Sequence, residues 1–81
     1  MFEDYKPAPQ ILASEKIVIG RKTFFLDLKE NNRGRFMQIT EDVGGRRDRI
    51  MLPMEAFADF GVALYKLINS NDQLPPPAPA E

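Results

Sequence analysis

The sequence predicts an α+β fold, a four-stranded antiparallel sheet followed by one C-terminal helix (ββββα). Three observations predict it. Residues 23–29 and 35–41 alternate apolar and polar side chains with period two, on either side of an Asn-rich turn. Gly44-Gly45 then introduces a further strand-like run, and after Pro53 the apolar period changes to 3.6.

The first strand is predicted over residues 15–19, where Ile17-Val18-Ile19 is β-branched and Gly20 ends the run. In the second, residues 23–29, Phe24, Leu26 and Leu28 share one face, and Thr23, Phe25, Asp27 and Lys29 the other. In the third, residues 35–41, Met37 and Ile39 oppose Phe36, Gln38 and Thr40. A two-residue turn at Asn31-Asn32 sets Glu30 against Arg33, Leu28 against Arg35, Leu26 against Met37 and Phe24 against Ile39, so the apolar faces coincide. The other face then pairs Lys29 with Gly34, Asp27 with Phe36 and Phe25 with Gln38. Parity puts Arg35 on the apolar side, so it must lie at the sheet's end and bend outward.

Residues 46–52 form the fourth strand, with Ile50 and Leu52 inward. Pro53 stops it and suits the first turn of a helix, where Glu55 meets the positive end of the helix dipole. From 54 to about 69, Phe57, Phe60, Gly61, Leu64, Leu67 and Ile68 form the stripe expected to cover the sheet. A weaker stripe through Ala58, Val62 and Tyr65 points to a partner surface. Residues 1–10 are expected to be a flexible arm, 11–70 the folded unit, and 71–81 a disordered Pro-rich tail whose Pro76 and Pro79 have PxxP spacing.

With 81 residues and such ends, the folded part is roughly 60 residues, near the lower limit for a single core. No Cys or His is present, which removes disulfides, thiolate chemistry, the usual general base and the commonest metal ligand. An enzyme would have to rely on carboxylates or a perturbed Lys, in a domain with little room for a pocket. No apolar run approaches a membrane span, and Met1-Phe2-Glu3-Asp4 is acidic where a secretory signal is basic. The expectation is a soluble, cytoplasmic, non-catalytic protein without cofactor, metal, membrane or small-molecule substrate. The net charge is −1, but residues 21–49 carry eight cations against five anions (+3) and the rest three against seven (−4). A local basic field of this kind attracts phosphate.

Lys29-Glu30-Asn31-Asn32-Arg33-Gly34-Arg35-Phe36 combines three cations, two amides and a ring, groups suited to phosphates, polar base edges and base stacking. On composition alone a solvated hairpin is the favoured reading of Lys29, Arg33 and Arg35, and a protein-interaction module competes with nucleic-acid binding. Parity places Phe36 away from Phe24, Leu26 and Met37, which favours stacking for its ring.

These residues also carry a likeness. The ββββα order, Leu12-Ala13-Ser14 leading in, Phe24-Phe25-Leu26-Asp27-Leu28-Lys29 as second strand, the turn through Phe36, and Leu52-Pro53 before the helix together resemble the PUR repeat of the PUR-alpha family over residues 12–68. The resemblance implies a regulator that binds single-stranded DNA and RNA, preferring purine-rich, GGN-type sequence. It also implies that two repeats intertwine through swapped helices into one Whirly-like PUR domain. A chain with one repeat is then a homodimer, as in bacterial single-repeat members, with Phe57, Phe60 and Leu64 joining Ala58, Val62 and Tyr65 in the interface. Family contacts fall on Lys29, Asn31 and Arg33, with Phe36 as the stacking wedge and Arg46 or Arg47 as the cation after the Gly-rich turn. Phe25 stands where Tyr is frequent, and Gln38 where Lys or Arg is common.

Overall fold

The computed structural model describes residues 9–78. It contains β1 (Gln10–Ile19), β2 (Lys22–Asn31), β3 (Gly34–Val43), β4 (Arg46–Pro53), a single 3-10 turn (Met54–Ala56) and α1 (Phe57–Gln73). The strands form an antiparallel meander in the order β1-β2-β3-β4, and the helix follows, giving the predicted ββββα fold. Residues 1–8 of the expected arm, and Pro79 of the PxxP spacing, lie outside the described residues.

Three element boundaries differ from expectation by three residues or more. β1 starts at Gln10 rather than Glu15, because its first residues pair with the far end of β2 across a bulge between Ile11 and Ala13. Pro53 closes β4, with φ −67° and ψ 158°, and caps the 3-10 turn, so the α-helix begins only at Phe57. That helix continues to Gln73, past the expected end near residue 69. Ser70 is accommodated by donating its hydroxyl hydrogen to the Lys66 carbonyl at 3.0 Å. Leu74, extended as a residue before proline tends to be, ends the helix and donates its N–H to the Asn71 carbonyl at 3.2 Å.

The β2–β3 register also needs correction. The turn residues are Asn32 and Arg33, not Asn31 and Asn32, and Asn31 pairs with Gly34. Consequently Glu30 faces Arg35, Leu28 faces Met37, Leu26 faces Ile39 and Phe24 faces Glu41, a slip of two residues. The cause is local. Among the described residues no side-chain-bearing residue has positive φ, so neither Asn supplies the expected left-handed conformation. Gly34 supplies positive φ at +137°, and Asn31 Oδ1 accepts the Arg33 N–H at 2.9 Å. The apolar faces survive because a slip of two preserves side-chain parity. At the other end of β3, Gly44 (φ +60°) and Gly45 (φ +90°) have the backbone of a type I′ hairpin turn.

One face of the sheet is apolar, through Ala13, Ile17, Phe24, Leu26, Leu28, Met37, Ile39, Ile50 and Leu52. Ion pairs stand at its two ends, Lys22–Glu41 at 3.3 Å and Glu30–Arg35 at 3.1 Å. Arg35 thus does lie at the sheet's end on the apolar side, held by Glu30. The helix, expected to cover this face, does not lie on its own sheet. The 3-10 turn touches β3, and α1 then projects outward, exposed from Ala58 onward. The radius of gyration is 17.1 Å, where a compact chain of this size has about 11–12 Å. Leu52 is the one buried apolar side chain among the described residues. Nothing approaches the Cβ position of Gly61, so no close backbone contact accounts for that glycine within a single chain.

The Gly34 conformation yields a prediction. Gly34→Ala should lower stability by about 1–3 kcal/mol in urea unfolding, since the strain is conformational and its Cβ would meet nothing. An unchanged midpoint would contradict the role assigned to this turn.

Candidate nucleic-acid interface

The face opposite the apolar one carries the aromatic and cationic residues. The corrected register alters their pairing. Lys29 is opposite Phe36, Asp27 opposite Gln38 and Phe25 opposite Thr40, in place of the expected Lys29–Gly34, Asp27–Phe36 and Phe25–Gln38. A cation and a ring are therefore direct cross-strand neighbours, roughly 5 Å apart at Cβ. Lys29 Nζ donates to Gln38 Oε1 at 3.3 Å, and Gln38 Nε2 donates to Thr40 Oγ1 at 3.4 Å. Gln38 thus orients the ammonium, which keeps two further donors.

At the end of the sheet, Asn31, Arg33, Arg35 and Phe36 line an open groove of about 430 Å³ together with Met51, Pro53 and Glu55. Each wall has a local cause. Asn31 spends its carbonyl oxygen on the turn and retains its amide N–H₂ as a donor. Arg33 is a turn residue and fully outside the sheet's packing. Arg35 reaches the rim, but Glu30 engages its Nε. Phe36 lies opposite Pro53, and Gln38 opposite Met51, so β4 supplies an apolar wall beside the ring. Met51 and Pro53 were not among the predicted site residues. The Gly44-Gly45 turn contains the signal for them, because a two-residue loop there fixes the β3–β4 register.

The two arginines considered for the Gly-rich turn separate. Arg46 pairs with Val43 and falls on the apolar-side parity, whereas Arg47 pairs with Asp42 and shares the face of Phe36. Asp42 is six positions along β3 from Phe36, about 20 Å, so neither arginine reaches the groove. Arg47 Nε donates to Asp42 Oδ2 at 2.7 Å, and the Gly45 N–H donates to Asp42 Oδ1 at 3.0 Å. The Arg47 hydrogen bond, then the Gly45 N–H, and also the Arg47 charge, hold the Asp42 carboxyl below its ordinary range.

Arg47 Cζ also stands 5.6 Å from the centre of the Phe25 ring, and Lys16 Nζ 5.8 Å from it. Phe25 is therefore flanked by two cations instead of standing open. Lys16 and Arg49, unrecognised as site residues from the sequence, share this face opposite Phe25 and Thr40. On the helix, Ala58, Val62 and Tyr65 line a shallow apolar groove with Gly61 and Lys66. Phe60 and Leu64 are exposed, and Phe57 is half-buried at the helix start.

Comparison with known proteins bears on what such an arrangement does. A family model described as "PurA ssDNA and RNA-binding protein" matches residues 9–81. Human "Transcriptional regulator protein Pur-beta" is 40% identical over 73 residues, which cover 89% of this chain and 23% of that protein. Zebrafish (Danio rerio) Pur-beta is likewise 40% identical, with 25% of its length covered. Human "Transcriptional activator protein Pur-alpha" is 38% identical, with 23% covered. The chain thus spans about a quarter of the length of these curated relatives.

The Asp42 geometry predicts a pH effect. A depressed folded-state pKa adds stability that is fully present above the unfolded carboxylate value, about 4, and is lost as pH falls through the lower folded value. Asp42→Asn should therefore melt below the parent protein at neutral pH, and the gap should close as pH falls below the ordinary carboxylate range. A gap independent of pH would contradict the carboxylate's part in holding Arg47.

Proposed function

This chain belongs to the PurA family of single-stranded DNA- and RNA-binding proteins, and we propose that it binds purine-rich, GGN-type single strands as a homodimer, through the groove at residues 31–36. The observation that carries this reading is the meeting of three kinds of group at one sheet end. Lys29 and Arg33 supply charge for phosphate, the Asn31 amide supplies a donor for a base edge, and Phe36 supplies a ring beside Met51 and Pro53. Stacking on such a ring contributes roughly 1–3 kcal/mol per base and tolerates any base. The preference for purines rests on their larger stacking area and on the likeness to the PUR repeat. The ring also suits a wedge that holds a strand unstacked. Binding of this kind, rather than catalysis, would regulate gene expression, in keeping with the transcriptional roles named for the human relatives.

The homodimer rests on two apolar surfaces left open in one chain. The sheet face through Phe24, Leu26, Leu28, Met37 and Ile39 needs a cover, and the helix stripe through Phe57, Phe60, Leu64, Leu67 and Ile68 needs a floor. Each side chain fully buried adds about 1.5–3 kcal/mol, so leaving both surfaces wet forfeits most of the core. Two copies related by a twofold axis, each laying its helix on the other's sheet, satisfy both surfaces with one self-complementary contact. In this arrangement Ala58, Val62 and Tyr65 add a second strip of interface.

Two outcomes are expected. Phe36→Ala should weaken binding of a GGN-repeat strand by about 5- to 150-fold in fluorescence anisotropy, with the melting temperature unchanged. A protein-interaction module would show no such loss and no salt dependence of strand binding. Leu64→Asp should abolish the dimer in light scattering and with it the cooperative melt. A folded, cooperative monomer carrying that substitution would contradict the shared core.

A further inference from the structure

We propose that Lys16 and Arg49, in one row with Phe25 and Thr40, extend the contact expected of Arg47 into a second site for the same strand that takes a phosphate and not a base; this rests on the strand-binding reading above. The backbone register places Lys16, Phe25, Thr40 and Arg49 in one row across all four strands. Phe25 is four residues from Lys29 on β2, about 13–14 Å along the strand from the Lys29–Phe36 pair. The row is thus a separate place on the face that carries Phe36.

Its chemistry differs from that of the groove. The Phe25 ring has Lys16 Nζ at 5.8 Å and Arg47 Cζ at 5.6 Å from its centre, so a base stacking there must displace a cation. β3 separates β2 from β4, and the contact between Phe25 and Arg47 therefore closes over β3. Thr40 beneath it is only 4% exposed although no element covers the sheet. Arg47 is anchored through Nε to Asp42 and keeps its two terminal nitrogens as donors. Asp27, the other carboxylate on this face, accepts the Ser14 hydroxyl at 2.6 Å. Neither Lys16 nor Arg49 is ion-paired among the described residues. Two cations at the ring, a third in the same row and a buried floor suit a tetrahedral anion in a fixed position, which a strand held at Phe36 would present as a phosphate.

The test compares GGN-repeat DNA of about 4 and about 12 nucleotides, within the range of site sizes seen for single-strand binders, by anisotropy across a salt series. The proteins are the full chain, Lys16→Gln/Arg49→Gln, the charge-retaining Lys16→Arg/Arg49→Lys, and Phe36→Ala. The Gln pair should lower the salt slope on the long strand by about 0.7, the value for one phosphate contact, and leave the short strand unaffected. The charge-retaining pair should restore the slope, and Phe36→Ala should weaken both lengths. If the Gln pair changes both lengths alike, or neither, while the parent chain binds, the second contact is overturned and the groove stands. If the parent chain binds neither length, strand binding itself fails, and the second contact with it.

Discussion

The turn from Asn31 to Gly34 is the constraint on which both faces of this sheet depend. Gly34 carries a φ of +137°, and the Asn31 side chain takes up the Arg33 N–H. Together they fix which residue of β2 meets which residue of β3. That choice puts Lys29 opposite Phe36 and Glu30 opposite Arg35, so a cation and a ring share the outer face while an ion pair closes the end of the inner one. The adjoining Gly44-Gly45 turn fixes β4 against β3 and brings Met51 and Pro53 beside Phe36. A groove containing charge, amide and ring follows from two short turns and the twofold period of a strand.

The same sheet lacks a cover in the single chain. Pro53 ends β4 in an extended conformation, and the 3-10 turn directs α1 outward. A single chain therefore carries both halves of a hydrophobic core without joining them. Small domains have little stability to spare, and surface left open on this scale has to be buried by some further contact. Such a design separates the two tasks of the sheet. In the proposed dimer the apolar face serves assembly and the basic, aromatic face stays accessible, so changes to one need not disturb the other.

Most of the fold was legible in the sequence, because alternation and a change of period survive errors in detail. Four strands and a helix were readable, as were the apolar set of Phe24, Leu26, Leu28, Met37 and Ile39 and the turn bearing Lys29, Asn31, Arg33 and Phe36. The register was not readable. An even slip leaves every side chain on its face, and the hydrophobic pattern is blind to it; only the backbone demand met by Gly34 decides. The direction of the helix was equally hidden, since an amphipathic stripe indicates that a face is buried but not against which sheet. Lys16 lay outside the basic segment in sequence and joins the face only through the β1–β2 pairing. Arg46 and Arg47 looked interchangeable until strand parity put them on opposite sides.

The most direct test of the central claim is a residue-resolved NMR titration of the ¹⁵N-labelled protein with a GGN-repeat single strand. The account predicts that amide shifts cluster at residues 29–37, with a second set at Met51 and Glu55 across the groove. Shifts confined to the helix and the apolar sheet face, or none at saturating strand, would contradict it.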